Sequence, residues 1–185
     1  MKRLIIGTVG LPGSGKTTIA NYLSKQRFIV VRLSGFLEAE AKKKYGRINR
    51  LTLQDIGNEF RKKYGPSVLA ELAIKQVKNK NRVVIDGIRN VAEIKFLKQQ
   101  GSFYLVGINA DPQIRYQRLL KIKAKALPKW EEFLRLDARD NGRGQSSSGL
   151  QVNKCLAKAD TVIVHNSQDP QELYEKLDKL LKNIF

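Results

Sequence analysis

The sequence predicts an α/β protein built on a parallel sheet, and three observations predict it. Five short β-rich runs are separated by stretches with helical spacing, so strands and helices alternate along the chain. The intervening stretches carry helix start and stop signals. The first strand runs directly into a glycine-rich segment and then a helix at residues 10–18, GLPGSGKTT. Alternation of this kind implies right-handed crossovers and a ligand crevice at the C-terminal ends of the strands.

The elements follow in order. Leu4, Ile5 and Ile6 form the first strand, and the segment from Thr17 to Lys25 places Ile19, Ala20 and Leu23 at helical spacing. Arg27 to Leu33, Arg82 to Ile85, Phe103 to Ile108 and Thr161 to Val164 supply four further strands. Asn90 with Glu93 makes a capping box, and Gly101 ends the helix they open. Asp111-Pro112 and Asp169-Pro170 each set a cap before a proline at the first helical position. Asn141 to Gly149, NGRGQSSSG, is expected to be a mobile surface loop because it is too polar and glycine-rich to pack. Cys155, among Val152, Leu156 and Ala159, reads as a buried helical side chain. His165, the single histidine, is expected to have a structural or exposed role and not a catalytic one.

The glycine-rich segment has a definite chemistry. Gly10, Gly15, Lys16 and Thr17 occupy the fixed positions of the pattern Gly, four variable residues, Gly, Lys, Ser/Thr. Glycines at 10, 13 and 15 let successive N–H groups turn inward around an anion, and the following helix N-terminus favours phosphate. Gly10, Gly13, Ser14, Gly15, Lys16, Thr17 and Thr18 are therefore the candidate ATP-binding residues. Lys16 reaches the outer phosphates, and the Thr17 hydroxyl is a ligand for Mg²⁺. A second constellation, DGIR at Asp86 to Arg89, follows an apolar strand. Asp86 is the second candidate Mg²⁺ ligand, and Arg89 offers a bidentate fork to an acceptor phosphate.

Composition narrows the setting. The chain of 185 residues reads most simply as one domain, and a lone cysteine suits a reducing compartment. It has no apolar run long enough to cross a membrane, and the stretch after Met1-Lys2-Arg3 is too short for a secretory signal, so a cytoplasmic protein is expected. Thirty-five Lys and Arg against 17 Asp and Glu give a formal charge of +18, which suits nucleotides, coenzymes and nucleic acid as partners. Between Lys42 and Lys63 lie Lys42, Lys43, Lys44, Arg47, Arg50, Arg61, Lys62 and Lys63, opposed by Asp55 and Glu59. Nothing here sets an oligomeric state.

GLPGSGKTT and DGIR, with an Arg-bearing helix and the closing ADTVIVHNSQDPQEL, resemble the nucleoside monophosphate kinase group of P-loop kinases, which includes adenylate kinases and dephospho-coenzyme A kinases. The resemblance implies a three-layer α/β/α P-loop NTPase fold with a five-stranded parallel sheet, an acceptor-binding region near 34–80 and a lid near 121–149. It implies transfer of the γ-phosphoryl of Mg-ATP to a nucleoside or deoxynucleoside monophosphate. Dephospho-coenzyme A kinase activity, or an ATPase whose nucleotide state controls attachment to RNA or ribosomes, are the alternatives. Lys16, Arg89, Arg118, Arg135 and Arg139 are the implied catalytic residues, and Ser34, Gly35, Arg61 and Arg89 the acceptor set. The chain departs from the group after the second strand, where SGFLEAE lacks the usual Asp and Arg, and Arg47, Arg50 or Arg61 is left to substitute. No Asp occurs before Asp55, which favours a phosphate acceptor over a hydroxyl that needs a base.

Overall fold

The computed structural model describes residues 3–123, 127–167 and 169–184. Five strands, β1 (Leu4–Val9), β2 (Ile29–Arg32), β3 (Arg82–Asp86), β4 (Ser102–Asn109) and β5 (Thr161–Val164), form one parallel sheet in the order β2-β3-β1-β4-β5. The helices are α1 (Lys16–Lys25), α2 (Gly35–Tyr45), α3 (Arg50–Tyr64), α4 (Val68–Gln76), α5 (Val91–Lys98), α6 (Pro112–Lys123), α7 (Trp130–Asp140), α8 (Val152–Leu156) and α9 (Pro170–Ile184).

Successive strand residues face opposite sides of a pleat, and here both sides are covered. Ile5, Val83, Ile85 and Leu105 pack toward residues of α2, α3, α4, α5 and α8. Ile6, Val84, Val106 and Ile108 pack against α1 and α9, where Ile19, Leu23, Leu173 and Leu177 are fully buried. The three-layer α/β/α arrangement results. Order reverses at β1, whose neighbours β3 and β4 lead away in opposite directions, and the crevice opens beyond its C-terminal end.

Two elements differ from their sequence reading. β2 is shorter than the run Arg27 to Leu33, because Arg27 adopts φ 65° and the Phe28 amide bonds back to Leu23 O at 3.1 Å. Those residues close α1 instead of opening a strand. The expected loose loop at 141–149 is fastened to the body: Asn90 Nδ2 donates to Ser147 O at 3.0 Å and Gly149 O at 2.7 Å, and Asn58 Nδ2 donates to Gln145 Oε1 at 2.7 Å. A polar loop needs no apolar residues when side-chain amides satisfy its carbonyls.

Cys155 on α8 is 0 % exposed, and burial, with Glu93 second, pushes its thiol up to about 12. The thiolate is the reacting species, so native protein at pH 8 should resist a disulfide-exchange reagent for hours and react fully once unfolded. Rapid labelling of folded protein would contradict the packing of α8 against the sheet.

Candidate active site

Chain geometry builds the phosphate loop first. Beyond β1 the chain turns at Gly13, where φ is 80° and an added Cβ would lie 2.6 Å from the Arg115 carbonyl oxygen. Only glycine satisfies both the dihedral and the approach. Gly15 caps α1 in the left-handed region with no side-chain hydrogen bond, so the first-turn amides of Lys16, Thr17 and Thr18 face the crevice unpaired by any cap. Ser14 Oγ is buried with no partner among the described residues. Lys16 Nζ donates to Leu11 O at 2.9 Å, and desolvation, with Arg89 second, brings its pKa down to about 8 against the pull of Asp86 and Asp140.

Asp86 ends β3 directly across from Thr8 of β1. Strand register therefore supplies the hydrogen bond from Thr8 Oγ1 to Asp86 Oδ1, 2.6 Å long, which fixes the carboxylate. Its other oxygen stands 3.9 Å from Arg32 Nε. No group of three or more His, Cys, Asp or Glu that could hold a metal exists among the described residues. A hydroxyl and one carboxylate, Thr17 and Asp86, suit Mg²⁺, which takes most of its shell from phosphate oxygens and water.

Around Lys16 the site is dominated by charge. Asp137 and Asp140 lie three apart on one face of α7, and both are buried. Arg50, first residue of α3, donates to Asp140 Oδ2 through Nε at 3.0 Å and to Asp137 Oδ1 through Nη2 at 2.6 Å. Arg89 pairs with Asp140, and Arg115 with Asp137. Arg115 also donates to Ala110 O and Pro12 O, which ties the phosphate loop to α6. Burial alone would raise the Asp140 carboxyl, but Arg89 and Arg50 outweigh it and hold the group below the ordinary aspartate range. Arg50 Nη1 is buried without a partner among the described residues. Three guanidiniums thus meet two carboxylates beside Lys16.

The sequence-predicted residues divide into those brought to this cluster and those placed elsewhere. Gly10, Gly13, Ser14, Gly15, Lys16, Thr17, Asp86 and Arg89 surround the phosphate loop and the end of β3. Arg118 donates to Gly13 O, His165 O and Ser167 O, so it braces the loop from behind. Arg139 pairs with Asp55 of α3 at 2.6 Å. Arg135 is not brought in: its side chain is 75 % exposed and its nearest carboxylate is Glu132 at 3.5 Å. Arg61 is corrected too. Its guanidinium is buried on Glu93 Oε1 at 2.9 and 3.0 Å, while Glu93 Oε2 accepts the amides of Arg89 and Asn90, so Arg61 supports the DGIR turn from below instead of facing a ligand. Ser34 precedes α2 without a side-chain cap, and Gly35 lines a cleft of about 540 Å³ with Arg32, Phe36 and Gln76. Residues 124–126 of the expected lid lie outside the described residues.

Asp137, Asp140 and Thr8 were missed by sequence reasoning, and Arg50 was underweighted. One signal was available for the aspartates. Phe133, Leu136, Asp137 and Asp140 share a single helical stripe, so the carboxylates sit on the apolar face of α7 and not with Arg135.

A family model described as an AAA domain matches residues 6–134. A UPF0200 protein of Pyrobaculum aerophilum is 30 % identical over 96 % of this chain and 96 % of its own length. The chain belongs to the AAA-domain family and, with its relative from Pyrobaculum aerophilum, to the UPF0200 family. A second UPF0200 relative, from Staphylothermus marinus, is 27 % identical over 100 % of this chain and 94 % of its own. Among solved structures, a shikimate kinase from Acinetobacter baumannii in complex with shikimate superposes with a TM-score of 0.56 at 18 % identity, covering 97 % of this chain and 93 % of that one. The chain therefore has the P-loop kinase-like NTPase fold. No helix among the described residues is long and apolar enough to cross a membrane.

Replacing Asp140 by Ala leaves Arg89 without its carboxylate partner and Arg50 with Asp137 alone. The loss should reach about 3–5 kcal/mol. Sulfate should recover more stability in the variant than in the parent, read as the shift in thermal midpoint. Because the Asp140 pKa is depressed on folding, its contribution is complete above the unfolded value near about 3.9 and lost as pH falls through the folded value.

Proposed function

We propose that this protein is an ATP-dependent kinase that moves the γ-phosphoryl of Mg-ATP onto the phosphate of a nucleoside or deoxynucleoside monophosphate. The observation that carries the reading is the meeting of Lys16, Asp86 and the Arg89–Arg50 pair at one end of the sheet. Phosphoryl transfer asks the protein mainly for positioned positive charge, and this cluster supplies it on both sides of the transferring group.

The chain's own groups would act as follows. Amides of Gly13 to Thr17 and the Lys16 ammonium hold the donor phosphates, and the orphan Ser14 hydroxyl gains an acceptor there. Thr17 and Asp86 would hold Mg²⁺, which would offset negative charge on the donor phosphates. Arg89 aligns the acceptor phosphate, one of whose oxygens forms the new P–O bond while the bond from the γ-phosphorus to the bridging oxygen breaks and ADP leaves. Arg50 takes the place of the arginine that the segment after β2 lacks. Arg118 keeps the loop in register through Gly13 O, and Arg139 secures α7 to α3 through Asp55. Since Asp140 already occupies Arg89, an acceptor phosphate would have to compete with that carboxylate.

A second reading, transfer to a ribose hydroxyl as in dephospho-coenzyme A, is favoured by one observation: α7 brings Asp140 close enough to influence Lys16. Two guanidiniums keep that carboxylate a weak base, so the phosphate acceptor is preferred.

The deciding experiment is ADP release with ATP and Mg²⁺ against each ribo- and deoxynucleoside monophosphate, dephospho-coenzyme A and shikimate. One monophosphate should stand out, and Lys16→Ala and Asp86→Ala should each lower turnover by about 10²–10³ while leaving the thermal midpoint in place. Release of inorganic phosphate alone, or turnover retained in both variants, would remove the kinase reading.

A further inference from the structure

Strand register sets a third residue beside the carboxylate of Asp86. Asp86 pairs with Thr8 of β1 on one side and with Arg32 of β2 on the other. Partners in register across parallel strands project to the same side of the sheet, so Thr8, Asp86 and Arg32 form a row at the C-terminal ends of β1, β3 and β2. Thr8 holds Oδ1 at 2.6 Å, and Oδ2 stands 3.9 Å from Arg32 Nε. The phosphate loop follows β1, and β3 lies between β1 and β2. Arg32 is therefore on the flank of Asp86 away from the loop that would hold a donor.

The other arginines around this end of the sheet are already engaged. Arg50, Arg89 and Arg115 donate to Asp137 or Asp140, Arg61 donates to Glu93, and Arg118 donates to three carbonyls. The Arg32 side chain makes no hydrogen bond among the described residues. At 3.9 Å its Nε is beyond hydrogen-bond reach, so Asp86 attracts the guanidinium without binding it. On its outer side Arg32 lines a cleft of about 540 Å³ with Asn21, Ser24, Gly35, Phe36 and Gln76, and no carboxylate lines that cleft.

An arginine at a strand end in open solvent needs no explanation beyond solubility. Arg32 differs because it flanks a buried carboxylate that is close enough to act on Lys16. Its side chain is 55 % exposed, so the fork is free to turn toward an anion in the crevice. An anion held near Lys16 and Arg89 meets in Arg32 a guanidinium whose donors are all unspent, whereas Arg50 and Arg89 arrive already paired.

We propose that Arg32 is the acceptor-side phosphate contact of this site, its guanidinium taking the phosphate that lies beyond the γ-phosphate of a bound donor. That this phosphate belongs to an acceptor rests on the kinase reading; the contact itself does not.

Isothermal titration of the intact protein in Mg²⁺ with ATP and with adenosine tetraphosphate tests it, because the fourth phosphate extends past the γ position. Wild type should bind the tetraphosphate about tenfold or more tightly than ATP, as expected for a charge-assisted fork. Arg32→Gln should abolish that difference and leave ATP affinity within about twofold of wild type, whereas Arg32→Lys, which keeps the charge and loses the fork, should restore part of it. Arg27→Gln, exposed just before the other end of β2, is the control of equal charge and should match wild type. Equal affinity of wild type for the two ligands, equal losses in Arg27→Gln and Arg32→Gln, or ATP and tetraphosphate weakened together in Arg32→Gln would overturn the proposal. No turnover is measured, so the two readings fail separately: absence of ADP release with every acceptor removes the kinase, while the difference between the two ligands still decides the role of Arg32.

Discussion

Two carboxylates on the apolar stripe of α7 hold three guanidiniums that arrive from α3, α6 and the turn after β3. Buried charges of either sign are tolerable only together, because each loses its water and regains the loss only from an opposite partner at hydrogen-bond distance. The arrangement is therefore close to all-or-none. It fixes the angle of α7, sets Arg89 and Arg50 side by side, and anchors Arg115 so that its remaining nitrogens can support Pro12 O of the phosphate loop. A helix that carries six charged residues among its eleven thereby becomes the wall of the site.

Beneath that wall lies a second ionic layer with a different purpose. Glu93 caps α5, accepts the amides of Arg89 and Asn90, and neutralises Arg61, all with a side chain that is 0 % exposed. The DGIR turn is thus held by its own following helix, while the guanidinium of Arg89 reaches away from it to Asp140 of α7. Thr8 performs the equivalent task for Asp86 by direct strand register. Asp86 and the DGIR turn are both carried on supports within the chain itself.

The parts of this design written locally in the chain were legible, and those written across it were not. The phosphate loop, the strands, the capping box at Asn90 and the proline-opened helices depend on residues within a few positions of one another. Arg61 looked available because its partner lies 32 positions away, and Arg135 entered the catalytic set through the resemblance, which does not fix the helical phase of α7. Asp140 meets Arg50 across 90 positions, a pairing that no local pattern encodes. Helical phase came nearest to exposing it, since an aspartate in line with Phe133 and Leu136 has to find a cation indoors. The glycine-rich loop at 141–149 erred in the other direction: composition argued for freedom, but Asn90 and Asn58 supply distant amides that pin it.

Arg118 carries one last implication. Its guanidinium joins the carbonyl of Gly13 to those of His165 and Ser167, so the loop between β5 and α9 and the bend around the phosphates share a single rigid strut. Any tug on the C-terminal helix is relayed through that strut to the place where the nucleotide tail would rest, and nucleotide capture would in turn stiffen the far end of the chain. The tail of the polypeptide is in this sense a handle on the grip at its beginning.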